Sequence, residues 1–202
     1  MQIAVESVHL GEIVILVPEL ARDERGFFLE SYRADQLAAL GLPTEFRQDN
    51  HSCSRAGVVR GLHLQWAPPM AKLMRVTRGR AWMVAADVRK GSPTLGRWYG
   101  TEVSAENRRQ MYAPAGFARG FCALTEVEVQ YKCTAVYRQE TDVAIAWDDE
   151  RLGIEWPVGA PQLSQRDGQA MSLERWLASP AAEQLRYAAQ AGAPGGPGMA
   201  SR

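Results

Sequence analysis

The sequence predicts an all-β domain, a sandwich or barrel of jelly-roll type with a few short peripheral helices. Three observations carry that expectation. Apolar residues gather in short runs of strand length, Gly, Pro, Asn or Asp separates the runs, and helical patterning is confined to two short stretches.

The elements follow in chain order. "EIVILVPEL" (12–20) is the first apolar run. "RADQLAALGLP" (33–43) reads as a short helix stopped by Gly41 and Pro43. "VVRGLHLQ" (58–65) has strand length but carries Arg60 and His63. "AKLMRVTRGRAWMVAADV" (71–88) reads as two strands with a hairpin turn at "TRGR" (77–80). In the second of these, Trp82, Val84, Ala86 and Val88 share one face, and Asp87 and Arg89 the other. "RWYGTEVS" (97–104), "RQMYAPAGFARGFCAL" (109–124), "EVQYKCTAVY" (128–137) and "DVAIAWDD" (142–149) complete the strand candidates. "MSLERWLASPAAEQLRYAAQA" (171–191) reads as one or two helices interrupted near Pro180. Residues 1–190 are expected to form one domain, and the Gly/Pro-rich 191–202 a disordered tail.

Bulk properties narrow the function. At 202 residues the chain suits one domain with a substantial core better than two. A 46% hydrophobic, 23% charged composition is that of a soluble globular protein. A formal net charge of +0 gives no bulk argument for nucleic acid or a membrane as partner. No apolar run approaches the ~20 residues of a membrane span. The start "MQIAVESVHLGEIVILVPEL" has acidic residues within its apolar part and no basic flank, unlike a signal peptide. Cys53, Cys122 and Cys133 are odd in number and scattered, so reduced thiols and a cytoplasmic protein are expected. Neither GxGxxG nor GxxxxGK[ST] occurs, so no dinucleotide or phosphate cradle of those kinds is indicated.

Arg60 and His63 are polar groups that are costly to bury without partners. In a regular strand, three positions apart, they point to opposite faces. A bulge at Gly61 would bring both to one side, and the octapeptide leaves the two arrangements open. His63 is one of three histidines, and a lone strand histidine is more often a hydrogen-bonded core residue than a catalyst. Around it in the sequence stand "RQDNHS" (47–52), Lys72, Tyr131 with Lys132, and Asp167. Together they supply a base, an orienting carboxylate, a cation and a phenol, the parts needed for proton abstraction beside a carbonyl. A metal is disfavoured. The position two after His63 is Gln65, and Arg119 stands where a later histidine ligand would.

The chain resembles the RmlC family, the dTDP-4-dehydrorhamnose 3,5-epimerases, over about residues 10–175. The resemblance rests on "DERGFFLESY" (23–32), "FRQDNHSCSRAGVVRGLHLQ" (46–65), "KLMRVTRGRAWMVAADVRKGSPTLGRWYG" (72–100), "VSAENRRQMYAPAGFARGF" (103–121), "VQYKCTAVY" (129–137), and "WDDERLGIEWP" with "LSQRD" (147–167). It implies a double-stranded β-helix, the cupin jelly-roll barrel, and an epimerase acting without a cofactor on a nucleotide-linked 4-keto-6-deoxy sugar. It implies that His63 is the general base, Asp167 its partner, Tyr131 the acid on the opposite sugar face and Lys72 the cation at the enolate oxygen. Arg25, Glu30, Gln48, Asn50 and Arg60 match nucleotide-sugar contacts, and Tyr137 a stacking position. It also implies a homodimer in which the N-terminal "DERGFF" segment reaches the partner's site.

The chain departs from the family pattern in three places. Arg119 stands in "GFARGF" where the family has His, and Asp142 where it usually has Glu. Residues 67–72 are one residue shorter than usual. The base–acid set is intact, but the changes leave open a single-centre epimerase, a differently linked sugar, or a nucleotide-sugar-binding protein without turnover.

Overall fold

A computed structural model describes residues 1–188. The tail expected over 191–202 lies outside them. The strands are β1 (Ile3–His9), β2 (Ile13–Pro18), β3 (Leu20–Asp23), β4 (Gly26–Leu29), β5 (Gln48–Ser54), β6 (Val59–Gln65), β7 (Lys72–Arg78), β8 (Arg80–Asp87), β9 (Trp98–Ser104), β10 (Gln110–Ala113), β11 (Phe117–Ala123), β12 (Val127–Cys133) and β13 (Asp142–Ala144). They form a six-stranded sheet in the order β1-β2-β10-β7-β12-β5, a five-stranded sheet β13-β6-β11-β8-β9, and a separate hairpin β3-β4. Every ladder pairing within these sheets is antiparallel, and from β5 to β13 the chain passes from one large sheet to the other at each step except β8–β9, which pair as neighbours. The expected all-β jelly roll is the observed architecture.

Side-chain alternation explains the layers. In β2, Ile13 and Ile15 point into the core between the sheets, with Met74 and Val76 of β7, Met83 of β8, and Phe117 and Phe121 of β11. The alternate residues Val14 and Leu16 point outward, where Leu37 of helix α1 (Ala34–Ala39) covers them. Gly41, at φ +71°, ends this helix, and the Leu42 N–H donates to the Leu37 carbonyl. The outer face of the five-stranded sheet carries Leu62, Leu64, Val84 and Ala86. It is covered by α3 (Leu173–Ala178) and α4 (Pro180–Gln184), with Trp176 buried at the contact. Ser179 separates these helices and caps α4, with Pro180 at its first position, so the interruption expected near Pro180 is present.

Three expectations need correction. "TRGR" does not turn a hairpin. β7 pairs with β10 and β12, whereas β8 pairs with β9 and β11, so Gly79 carries the chain from one sheet to the other. The run 142–149 contributes only the three-residue β13; Ile145 still exchanges backbone hydrogen bonds with Leu62 of β6 while bridging to Met171 on its other side, and the residues after it leave the sheet. The polar segment 47–52, read only as a cluster, lies largely in β5, at the edge of the six-stranded sheet. Asp87 and Arg89 do share the face opposite Val84 and Val88, but both are buried. Arg89 Nη2 donates to Asp87 Oδ2 at 2.8 Å and to Glu12 Oε1 at 2.6 Å. Burial pushes the Asp87 carboxyl up, and hydrogen bonds from Arg89, Ser92 and Thr94 more than reverse it.

Candidate active site

His63 and Arg60 lie on the same cavity, and the ladder shows why. Across β6–β11, His63 pairs with Arg119 and Arg60 with Phe121, so three steps on β6 oppose two on β11. This is the bulge that one reading of the octapeptide requires. Gly61 sits inside it at φ +118°, and a Cβ there would lie 2.7 Å from both the Arg119 carbonyl oxygen and Gly120 Cα. Both obstacles are backbone and φ is unfavourable for any other residue. Gly61→Ala is therefore expected to lower unfolding free energy by about 3 kcal/mol, read from urea denaturation. An unchanged midpoint would mean that the bulge yields.

The bulge presents the His63 imidazole to the cavity and to α2 (Gln165–Gly168). Ser164 caps this helix by accepting from the Asp167 N–H, which positions the Asp167 carboxylate. His63 Nε2 and Asp167 Oδ1 are 2.6 Å apart, and Asp167 is buried. Burial raises the Asp167 carboxyl. The hydrogen bond and charge of His63, with donors from Ser164 and Gly61, bring it below the usual carboxylate range. An ionised Asp167 accepts the Nε2–H, which leaves Nδ1 with the lone pair.

The opposite wall comes from the six-stranded sheet. Tyr131 of β12 lies between Asn50 of β5 and Met74 of β7 in register. Burial raises its phenol, opposed by the Asn50 side chain, so it stays protonated at neutral pH. Lys72 begins β7, with Nζ 5.0 Å from the Tyr131 ring centroid. Burial, then the charge of Arg119, pushes its ammonium down to about 8. His63, Lys72, Tyr131, Arg60 and Arg119 line one cavity of about 120 Å³, together with Ser52, Met74 and Phe121. Pockets that enclose a drug-sized ligand start at ~300 Å³, so this space suits a group about the size of one ring.

The remaining candidates fall into groups. Arg60 is held at the rim, Nε donating to Ser54 Oγ at 2.9 Å and Nη2 to the Cys53 carbonyl at 3.2 Å. Gln48 bridges Asn50 and the Tyr137 N–H, and Tyr137 is exposed. Asp142 does not stand free: its carboxylate pairs with Arg166 at 2.7 Å. Arg25 and Glu30 are not brought to this cavity. Arg25 pairs with Asp23 and Glu30 with Arg33, on or beside the hairpin β3-β4, which makes no ladder with either large sheet. Gln65, two after His63, is buried and structural, accepting from Arg138 N–H and donating to the Pro68 and Val136 carbonyls. Among the described residues no group of three or more His, Cys, Asp or Glu could hold a metal ion. No helix among them is long and apolar enough to cross a membrane.

Ser52, Met74 and Arg166 were not singled out from the sequence. Ser52 lies on β5, whose "QDNHSCS" alternates in burial once folded but has no alternation of apolar and polar residues in its sequence. Arg166 carries no signal either, because its partner lies 24 residues away.

Known proteins resemble this chain in sequence and in fold. A family model described as dTDP-4-dehydrorhamnose 3,5-epimerase matches residues 7–175. The chain is similar to the dTDP-4-dehydrorhamnose 3,5-epimerase of Pseudomonas aeruginosa, 47% identical over 163 residues, covering 79% of this chain and 90% of that protein. It is also similar to a dTDP-4-dehydrorhamnose 3-epimerase of Streptomyces niveus, 40% identical over 161 residues, 78% of each. Among solved structures, the dTDP-6-deoxy-D-glucose-3,5-epimerase of Legionella pneumophila, in complex with dTDP-4-keto-L-rhamnose, superposes with a TM-score of 0.87. It is 42% identical and covers 93% of this chain and all of that one.

Proposed function

The chain belongs to the dTDP-4-dehydrorhamnose 3,5-epimerase family, and from that premise we propose that it is an isomerase inverting C3 and C5 of dTDP-4-dehydro-6-deoxy-D-glucose. The observation that carries the reading is His63 of the five-stranded sheet, hydrogen-bonded to Asp167 of α2, facing Tyr131 of the six-stranded sheet across one cavity. A ketone at C4 acidifies the protons on C3 and C5. The Nδ1 lone pair of His63 takes one, and the C–H electron pair moves toward the C4 oxygen as an enolate. Asp167 stabilises the resulting imidazolium. Lys72 favours the enolate over the ketone because the charge appears only as the proton leaves. Tyr131 returns a proton from the other wall, which inverts the carbon.

Arg60, Gln48, Asn50, Tyr137 and Asp142 are proposed to hold the diphosphate and nucleoside at the rim. Arg25 and Glu30 are proposed to act on the partner's site in a homodimer. That proposal draws support from the detached β3-β4 hairpin, whose Phe27 and Phe28 are each 65% exposed. The three free cysteines suit a cytoplasmic setting.

Proton NMR of dTDP-4-keto-6-deoxy-D-glucose in D₂O with catalytic protein tests the reaction. Deuterium at both C3 and C5, followed by trapping of the product with a reductase, is the expected result. Deuterium at C3 alone would make it a single-centre enzyme like the Streptomyces niveus relative; none would overturn enolisation. A second check is pH. Only protonated Lys72 stabilises the enolate, and its ammonium titrates at about 8. The rate is therefore expected to fall as pH rises through that value. A rate that stays flat well above it would remove Lys72 from the role.

A further inference from the structure

Arg119 is 3% exposed at the middle of β11, a strand buried along its whole length. Its Nη1 donates to the Met70 carbonyl at 2.8 Å. Its Nε and Nη2 have no partner, although both are shut off from solvent. Buried charged donors left unpaired are costly, and native structures rarely keep them without a reason. No carboxylate among the described residues lies within ion-pair reach of Arg119 or Lys72, and nearby Asp142 is engaged by Arg166. Two cations thus share one small cavity without a resident counter-charge. Arg119 also faces His63 directly across the β6–β11 ladder.

We propose that Arg119 is a second donor to the C4 oxygen of the substrate, its unpaired guanidinium edge and Lys72 Nζ together forming the oxyanion site. This rests on the epimerase reading above. The C4 oxygen carries the developing charge whichever neighbouring carbon is deprotonated, so one pair of cations serves both steps. The proton passes from carbon to His63 Nδ1, the electron pair to the C4 oxygen, and a new proton from Tyr131 to carbon; Arg119 transfers none. A diphosphate role is the competing assignment. Burial argues against it: Arg60 is exposed and anchored at the rim, whereas Arg119 is enclosed at the ring end.

The test compares wild type, Arg119→Gln and Arg119→Lys in C–H exchange in D₂O and in dTDP binding. Arg119→Gln is expected to lower kcat about 100-fold while dTDP affinity stays within about threefold. Removing the Arg119 charge also lets the Lys72 ammonium titrate higher, so the alkaline limb of the rate moves to higher pH. A role confined to bracing the Met70 carbonyl would leave that limb in place. An undiminished kcat, an unmoved limb, or a loss appearing mainly in dTDP affinity overturns the proposal. If Arg119→Gln does not fold, Arg119→Lys, which keeps one charge and loses the second donor edge, decides: lower kcat at unchanged dTDP affinity supports, unchanged kcat overturns. Wild type that shows no exchange sinks the epimerase reading and this role with it. Exchange in wild type with an equally fast Arg119→Gln sinks the role alone.

Discussion

His63→Ala is expected to lose about 1,000-fold or more in the exchange of substrate C–H protons with D₂O, with dTDP affinity held within about threefold. No second base shares the cavity, whose other ionisable side chains are Lys72, Tyr131, Arg60 and Arg119. The substitution has a structural cost as well. Asp167 is 4% exposed and kept ionised largely by His63, so removing the imidazole leaves a carboxylate buried with fewer partners. His63→Gln separates the two effects, since its amide can still donate to Asp167 but cannot accept a proton from carbon. Both variants should be inactive, and the glutamine variant should melt closer to wild type. Exchange within about tenfold of wild type would mean that another group removes the proton, since a lost general base costs about 100-fold or more.

Tyr131→Phe should uncouple exchange from inversion. His63 and Tyr131 belong to opposite sheets, so each serves one face of the sugar. Without the phenol, His63 can still remove a proton and return a deuteron to the same face. C–H exchange should therefore persist within about tenfold, while formation of the inverted sugar falls about 100-fold or more. The phenylalanine keeps the ring under Lys72 Nζ, which preserves the packing and the cation–π contact at 5.0 Å. Two measurements on one sample, deuterium content by NMR and reductase-coupled product, decide the matter. If both fall together, Tyr131 acts before the enolate forms rather than after it; if inversion is unaffected, the second proton comes from elsewhere.

Strand-forming segments were legible where one face meets the core, because burial imposes a period of two on apolar residues. Val127 and Val129 against Glu128 and Gln130 are the plainest case, whereas β2, covered on both faces, reads as a continuous apolar run. β5 was harder to see, because it runs along the sheet edge in polar residues, and its Ser52 and Asn50 serve the site rather than the core. Gly79 looked like a hairpin turn since a local turn and a crossing between sheets use the same residue type. The chemistry-bearing side chains were nameable as types, and through family resemblance as roles, before any coordinates.

What the sequence determined by itself was the all-β class, the helix stop at Gly41, the interruption near Pro180, and the inventory of base, carboxylate, phenol and cation. These depend on local backbone preference, burial period and side-chain chemistry, all of which are written along the chain. Tertiary structure alone decided which of the two arrangements of Arg60 and His63 holds, since the bulge is a mismatch between β6 and β11. It alone paired Asp142 with Arg166, and it set at 2.6 Å the contact of His63 with Asp167 that the family resemblance implies. It alone left Arg119 buried with two empty donors. Such facts depend on strand register and on what stands opposite across a sheet, and residue spacing along a chain carries no information about either.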